Sequence, residues 1–186
     1  MTTYYSDHYS ADQGATGHFT TRVTPSKIVG VGKKHARIRR TAAFYTIPAS
    51  TDLADDDAVR FLDLKSSDRL VELYFSQDAN QGATATYNFG LWLKGAADDG
   101  ALVDEDLFGA GTDLAGAIAR TDYFTGGALD NWDRGKTLWE LAAIGDGSDT
   151  VDPQTTYTIG MQATANITVV DDPVETLVEA YYIAGD

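Results

Sequence analysis

Several stretches of the sequence alternate apolar and polar residues with a period of two. The clearest spans residues 83–94, and its alternate apolar positions are Ala85, Tyr87, Phe89, Leu91 and Leu93. Residues 69–76 and 155–164 follow the same pattern. Because successive side chains of a β-strand point to opposite faces, this alternation predicts strands that bury one face and expose the other.

Further runs at 37–47, 58–65, 166–170 and 174–183 also predict strands. The side chains expected to face the core are Val59 and Phe61 in 58–65 and Val71, Leu73 and Phe75 in 69–76. In 174–183 both faces carry apolar residues, so the pattern does not show which face is buried. The composition agrees, because 23 Asp against five Glu, with 22 Thr and 18 Gly, is typical of strands joined by Asp/Gly turns.

Two stretches favour short helices. In 102–120, Thr112 or Asp113 could cap a helix with Leu114, Ala117 and Ile118 on one stripe. In 135–145 the residues with helical spacing are Leu138, Leu141 and Ala142, with Gly145 as the stop. The second run is equally compatible with a buried strand. The predicted fold is therefore mainly β: an antiparallel β-sandwich of the jelly-roll kind at 35–186, with one or two short helices.

Charge divides the chain near residue 40. Residues 1–40 hold seven cations and two acids, a sum of +5, whereas residues 41–186 hold seven cations and 26 acids, a sum of −19. Together they give the net charge of −14. This balance argues against nucleic acid as a general partner, because the phosphate backbone would repel most of the surface. Contact of the basic run alone with packaged DNA stays an alternative.

The first 34 residues predict an extended N-terminal arm, because they contain too few aliphatic residues for a core of their own. They do contain aromatic residues, which favours an arm that orders against its own body or a neighbour. The basic run "VGKKHARIRR" lies at the junction with the body. The residues predicted to dock on a capsid or a neighbouring subunit are Tyr4, Tyr5, Tyr9, Phe19, Arg22, Lys27, Lys33, Lys34, Arg37, Arg39 and Arg40. The alternative is that Arg37, Arg39 and Arg40 form the solvent face of an edge strand, with Ile38 facing in.

No motif predicts catalysis or a cofactor. All three histidines lie at or before residue 35, and the chain has no cysteine, nucleophile motif or phosphate-binding loop. The best local calcium candidate is Asp146, Ser148 and Asp149, but this run does not match an EF-hand loop, and solvated turns are the favoured interpretation. The three tryptophans, Trp92, Trp132 and Trp139, are read as core or interface anchors, with a sugar-binding face as the alternative. The polar N-terminus and the absence of long apolar runs predict no signal peptide and no membrane span.

The order of these elements resembles that of small structural proteins of tailed-bacteriophage virions, especially head decoration or cement proteins of marine and cyanobacterial phages. Four stretches carry the resemblance: "HARIRRTAAFYTIPAS", "DAVRFLDLKSSDRLVELYFS", "ATATYNFGLWLKGAADDGALVDEDLFGAGTDL" and "GKTLWELAAIGDGSDTVDPQTTYTIGMQAT". It covers residues 35–183 in organisation, without an invariant motif. It implies a virion protein made in the host bacterial cytoplasm that binds the capsid lattice and has no catalytic residues.

The resulting expectation is a capsid decoration or cement protein that bridges and stabilises neighbouring major capsid subunits, with the major capsid protein as partner and a homotrimer as its own assembly. The alternative is a tail-fibre or receptor-binding β-sandwich module that binds carbohydrate. A glycan-active enzyme built on paired carboxylates is the weakest reading, because acids on Asp/Gly loops are solvated and retain ordinary pKa values.

Overall fold

The structure is a computed structural model that describes residues 3–5, 37–50, 52–79, 85–94, 100–146, 152–168 and 173–185. Its strands are β1 (Thr3–Tyr5), β2 (Ile38–Ile47), β3 (Asp52–Leu53), β4 (Ala58–Lys65), β5 (Arg69–Gln77), β6 (Thr86–Leu93), β7 (Leu102–Asp113), β8 (Ile118–Asp122), β9 (Thr156–Ala163), β10 (Ile167–Thr168) and β11 (Val174–Ile183). The helix in these residues is α1 (Leu138–Asp146). The expectation of a mainly β chain is confirmed.

The strands form two large sheets that pack as a sandwich. One sheet has the order β2-β11-β5-β8, and the other has the order β1-β4-β9-β6-β7. All neighbours in them pair antiparallel except β1, which is parallel to β4. The short strands β3 and β10 pair separately.

The connectivity is that of a jelly roll. If the three shortest strands are set aside, the remaining eight, counted in chain order, lie as 1-8-3-6 in one sheet and 2-7-4-5 in the other. First and last strands are therefore neighbours, and each sheet mixes strands from both halves of the chain. This is the double Greek key of jelly rolls, in which neither sheet forms without the other.

Aromatic side chains fill the space between the sheets. Phe75 of β5 and Phe89 of β6 meet at 4.9 Å between ring centroids, and Tyr123 packs on both. The predicted inward face of 83–94 is confirmed for Ala85, Tyr87, Phe89 and Leu91, which are buried, while Leu93 is only partly buried. Such edge-to-face contacts each add about 1 kcal/mol beyond the area they bury.

The predicted helix at 112–118 is wrong. Residues 102–113 form β7 and 118–122 form β8. Asp113 accepts a hydrogen bond from the backbone N–H of Ala115 and so closes a turn instead of capping a helix. Leu114 enters the core, and its N–H donates to the carbonyl of Ala85. Helical spacing of apolar residues was misleading here because tertiary contacts decided the local structure.

The second helix is confirmed as α1. Thr137 and Glu140 form a capping box, because the Glu140 carboxylate accepts both the backbone N–H and the hydroxyl of Thr137, at 2.8 and 2.7 Å. The three residues with helical spacing, Leu138, Leu141 and Ala142, are buried. The helix runs on through Gly145 to Asp146, so the predicted stop comes one residue early.

A β-bulge changes which residues of β5 face the core. The pairing with β11 shifts between Tyr181 and Tyr182, so that Tyr181 lies opposite Glu72 but Tyr182 lies opposite Leu70. Leu70 is therefore fully buried, whereas Val71, predicted to face inward, is only half-buried. Leu73 and Phe75 are buried as predicted. For β11, the structure settles the open question: the face with Val174, Val178, Ala180 and Tyr182 is buried.

Candidate interaction surface

The residues predicted to dock lie in three parts of the chain. Tyr9, Phe19, Arg22, Lys27, Lys33 and Lys34 lie outside the described residues. Tyr4 and Tyr5 lie in β1, with their backbones opposite Val59 and Arg60 of β4. Arg37, Arg39 and Arg40 lie at the start of β2, the edge strand of the four-stranded sheet.

The three arginines at the start of β2 do not share one face. Ile38 is 59% exposed, so its predicted inward orientation is wrong. The alternation along β2 puts Ile38 and Arg40 on the outer face, while Arg39 faces the sandwich interior beside Tyr182, its register partner. Burial and, to a lesser extent, the charge of Asp68 raise the pKa of Tyr182, while the charge and hydrogen bond of Arg39 act in the opposite direction. Arg39 thus covers the end of the core, and Arg40 belongs to the outer surface.

Arg40 is part of a compact cluster on the outer face of the four-stranded sheet. We call Arg40, Tyr74, Arg120, Glu179 and Tyr181 the outer-face cluster. Glu179 lies at its centre and is only 5% exposed. Its two carboxylate oxygens each accept from one arginine: Oε1 from Nε of Arg40 at 2.6 Å and Oε2 from Nε of Arg120 at 2.7 Å.

Aromatic rings complete the outer-face cluster. The guanidinium of Arg120 lies 3.3 Å from the ring centroid of Tyr74 and 5.6 Å from that of Tyr181. The two tyrosine rings meet edge to face, with centroids 6.0 Å apart. The tyrosine faces and the carboxylate therefore fix the orientation of the Arg120 guanidinium, whose side chain is still 45% exposed.

The electrostatics keep the outer-face cluster charged. Burial alone would raise the pKa of Glu179, but hydrogen bonds and charge from Arg120 and Arg40 outweigh it and hold that pKa below its usual value. For Arg120, burial lowers the pKa, but the hydrogen bond and charge of Glu179 more than compensate and raise it. Two cations and one anion remain, which leaves one net positive charge on the surface of a strongly acidic protein.

Sequence reasoning found only Arg40 of this cluster. Arg120 lay in the region read as helical, and Glu179 and Tyr181 lay on the face of 174–183 that the pattern could not assign. The available signal was that Glu179 and Tyr181 alternate with the apolar residues of that strand. Their partners come from β2, β5 and β8, which only the jelly-roll order brings beside β11.

A second feature is the exposed indole of Trp132. Its side chain is 90% exposed, whereas Trp92 is fully buried and Trp139 packs against the core. The three tryptophans therefore do not form a common sugar-binding face. Leaving an aromatic ring of this size in water forgoes about 2–3 kcal/mol of burial, which is typical of residues that bind a partner.

The turn that carries Trp132 is held by its own hydrogen bonds. The Asp130 carboxylate accepts from the N–H of Trp132 at 2.6 Å, and the Asp133 carboxylate accepts from the N–H of Asp130 at 2.8 Å. Lys136 pairs with Asp133 at 2.6 Å. That hydrogen bond is the largest of the causes that lower the pKa of Asp133. The indole is therefore presented on a preorganised turn, which reduces the entropy lost on binding.

Arg134 attaches the Trp132 turn to the sandwich. Its guanidinium donates to Asp122 at 2.6 Å and to the carbonyl of Val71 at 2.7 Å, and it lies 4.6 Å from the ring centroid of Phe124. Beyond the turn, Thr137 bridges to Arg69 at the start of β5. Register pairs then connect Arg69 to Ile183 and Ile183 to Ile38. The Trp132 turn and the start of β2 therefore lie at the same end of the four-stranded sheet.

The described residues contain no group of three or more His, Cys, Asp or Glu side chains arranged to hold a metal ion. Ser148 and Asp149 of the calcium candidate lie outside the described residues. Asp104 and Asp106 are neighbours on β7, and burial is the main reason that the pKa of Asp104 is raised. Among the described helices, none has both the length and the apolar character required to cross a membrane.

Comparisons with known proteins gave structural matches only. No protein-family model matches the sequence, and no curated protein matches it. Among solved structures, a chain in the capsid of Ralstonia phage GP4 overlaps with 84% of this chain and 90% of its own length, at 15% identity and a TM-score of 0.41. A chain of the cyanophage Pam1 capsid asymmetric unit overlaps with 83% of this chain and 89% of its own length, at 16% identity and a TM-score of 0.41.

Proposed function

We propose that this protein is a virion structural protein: a decoration or cement protein that binds the outer shell of a phage head and stabilises neighbouring major capsid subunits, without catalysis. It assembles as a homotrimer and acts at the capsid surface. The observation that carries the proposal is the outer-face cluster, a rigid group of arginine and tyrosine side chains on a β-sheet face that continues into the basic segment.

The chemistry of the outer-face cluster suits a protein partner. Arginine and tyrosine are enriched among residues that dominate protein–protein binding, because they offer large contact areas and fixed hydrogen-bond directions. The carboxylate of Glu179 already neutralises one arginine, so the cluster can be covered with a smaller desolvation cost than two free cations. A carboxylate on the shell would pair with the remaining positive charge.

The position of the outer-face cluster links it to the predicted arm. Arg40 lies three residues after Arg37, where the described chain begins after β1. Ile38, next to Arg37 in sequence, lies at the end of the sheet that also carries the Trp132 turn. Arm, cluster and Trp132 turn can contact one shell surface together, and many weak contacts across a lattice add up through multivalency.

The first test compares shell binding by the full chain and by a variant that lacks residues 1–34. Cosedimentation with empty capsids stripped of this protein should show weaker binding of the truncated chain, because the arm's aromatics and cations are lost. Circular dichroism of both proteins checks the fold. Equal binding by the two would contradict the role of the arm.

The second test addresses the outer-face cluster. Arg120→Glu should reduce shell binding about tenfold or more, because it reverses a charge at the centre of the surface. Lys65→Glu is the matched control: it makes the same charge change at an exposed residue of β4 in the other sheet. If both variants lose binding equally, the effect is one of net charge and not of this surface.

Trp132 favours a second candidate function, a receptor-binding module that stacks a sugar ring on an exposed indole. A glycan array probed with the purified protein distinguishes the two. The decoration role predicts no binding on the array, whereas a hit abolished by Trp132→Ala would establish carbohydrate binding.

A further inference from the structure

β1 occupies an unusual position for the first strand of a jelly roll. It is three residues long, lies at the edge of the five-stranded sheet and pairs parallel to β4, with Thr3 opposite Ala58 and Tyr5 opposite Arg60. Three residues of parallel pairing provide little stability on their own. Addition of a short strand to a sheet edge uses main-chain hydrogen bonds, so any chain with a compatible segment can supply it.

The two ends of the segment between β1 and β2 are close together in one molecule. Because β1 runs parallel to β4, it leads toward the end of the sandwich at which β2 begins. From Arg60 to Lys65 is five residues, about 17 Å of strand, and packed sheets lie about 10 Å apart. With β2 in contact with β4, the gap from Tyr5 to Arg37 is roughly 20–25 Å, which about eight extended residues would span.

The sequence provides far more chain than this gap requires. Residues 6–36 are 31 residues, which can reach about 100 Å when extended. A segment several times longer than intramolecular closure needs is long enough to carry β1 to another copy of the protein. Exchange of an identical element between protomers is a low-cost route to a symmetric oligomer, because the same hydrogen bonds form in both arrangements.

We infer that β1 is exchanged: residues 3–5 of one copy add to the β4 edge of a second copy, and the edge of β4 is an intersubunit docking site for the N-terminal strand. The partner is a second copy of this chain. The inference rests on the proposed self-association and adds to it the element that joins the copies. It also assigns Tyr4 and Tyr5 to the subunit interface rather than to the shell.

The absence of cysteine from the chain allows a direct test by disulfide cross-linking. Thr3→Cys and Ala58→Cys are prepared as separate full-length proteins, one with a mass tag, because these residues are register partners at a spacing a disulfide can bridge. The two are refolded together and oxidised mildly. Exchange predicts a tagged–untagged dimer on a non-reducing gel, several-fold above the control pair of Thr3→Cys with Lys65→Cys, whose position lies at the far end of β4.

The remaining outcomes overturn the inference. If the mixed pair gives no more dimer than the control pair and the double variant Thr3→Cys/Ala58→Cys closes within one chain, β1 pairs in its own molecule. If neither arrangement closes, β1 does not pair with β4 in solution and the docking site is wrong. Light scattering of the unmodified protein separates this failure from that of the proposed function: an oligomer without exchanged β1 retains self-association, whereas a monomer contradicts both.

Discussion

The arginines on the outer faces of the two sheets differ in exposure and in their hydrogen-bond partners. On the four-stranded sheet, Arg120 is 45% exposed at its side chain and is paired with Glu179. On the five-stranded sheet, Arg60 is only 2% exposed, donates to the carbonyl of Gly100 at 2.8 Å and lies 5.8 Å from the ring of Trp92, yet its Nε has no hydrogen-bond partner among the described residues.

Polar atoms of other buried side chains on this sheet also lack hydrogen-bond partners among the described residues. In the part of the chain that the structure describes, Nε1 of Trp92 and Oε1 of Gln162 are buried without a partner. A Cβ at Gly160 would lie 2.6 Å from the carbonyl oxygen of Val59 and 3.0 Å from the indole of Trp92, so any larger residue would require these neighbours to shift.

Arg40 and Arg120 are therefore paired and remain in reach of a partner, whereas the surroundings of Arg60 bury polar atoms at a cost of about 1–3 kcal/mol each. The difference indicates that the outer face of the four-stranded sheet is the one suited to reversible contact.

Within the outer-face cluster, the largest expected effect comes from removing its anion. Glu179→Ala leaves Arg40 and Arg120 facing each other without a counterion, and we expect a loss of about 2–3 kcal/mol, below the value for a fully buried pair because both arginines are partly solvated. Urea unfolding measures it. Glu175→Ala is the control, since Glu175 is exposed on the same strand, and it should change stability by less than about 0.5 kcal/mol. Similar losses in the two variants would contradict a structural role for the cluster.

A pair of substitutions at Arg60 examines the buried face. Arg60→Ala should cost about 2–4 kcal/mol, because it leaves a cavity beside Trp92. Arg60→Met preserves most of the side-chain volume and removes the unpartnered donor, so the free energy of unfolding should stay within about 1 kcal/mol of the unmodified protein. Thermal and urea unfolding report both. If methionine is as damaging as alanine, the guanidinium contributes through its charge, and the contrast between the two faces fails.

The pH dependence of stability sharpens the comparison. Because the folded-state pKa of Glu179 lies below its usual value, its contribution is present above the unfolded pKa, about 4.5, and is lost as the pH falls through the lower folded value. The stability difference between the unmodified protein and Glu179→Gln should therefore shrink below about pH 4.5. Asp133 and Glu140 also have lowered pKa values, but they are present in both proteins and cancel. A difference that stays constant down to pH 3 would show that Glu179 does not act as a charged group.

The smallest expected effect on stability is that of Trp132→Ala. The indole is 90% exposed, so the change should alter the free energy of unfolding by less than about 0.5 kcal/mol, while shell binding falls by about 2 kcal/mol if the ring is an interface anchor. Trp92→Ala, in contrast, should lower the free energy of unfolding by about 3–5 kcal/mol, because that ring is fully buried. Unchanged shell binding by the Trp132 variant would remove this residue from the proposed interface.

The strands were predictable where apolar and polar residues alternate. In 83–94 and 155–164 the predicted strands are present as β6 and β9 and their alternate apolar residues are mostly buried, although residues of the opposite face, such as Trp92 and Thr158, are buried as well; α1 lies at the second helical run. Prediction failed where pairing partners elsewhere in the chain decide the local structure. The bulge near Val71 and the strand β8 depend on partners more than 30 residues away, β7 depends on its pairing with β6, and the pattern of 102–120 alone favoured a helix.

Only the part of the candidate surface that is contiguous in sequence was predictable. The basic segment was visible as a sum of charges, so the arginines at the start of β2 could be named. Glu179, Arg120 and Tyr74 could not be connected with Arg40 from the sequence. Glu179 lies 59 residues from Arg120 and 105 from Tyr74, Arg120 lies 46 residues from Tyr74, and the strand order alone brings them together. The exposure of Trp132 was equally hidden, since a tryptophan in an Asp/Gly-rich turn reads the same whether its ring points inward or out.

The sequence by itself determined that this chain forms a β-sandwich with a charge reversal near residue 40, because the period of side-chain alternation and the sum of charges are local properties. Only the tertiary structure decided which faces are buried, which arginine receives a carboxylate and which of three tryptophans meets water. The physical reason is that each of these outcomes depends on the jelly-roll order, which places the first and last strands side by side and brings distant residues within hydrogen-bond distance.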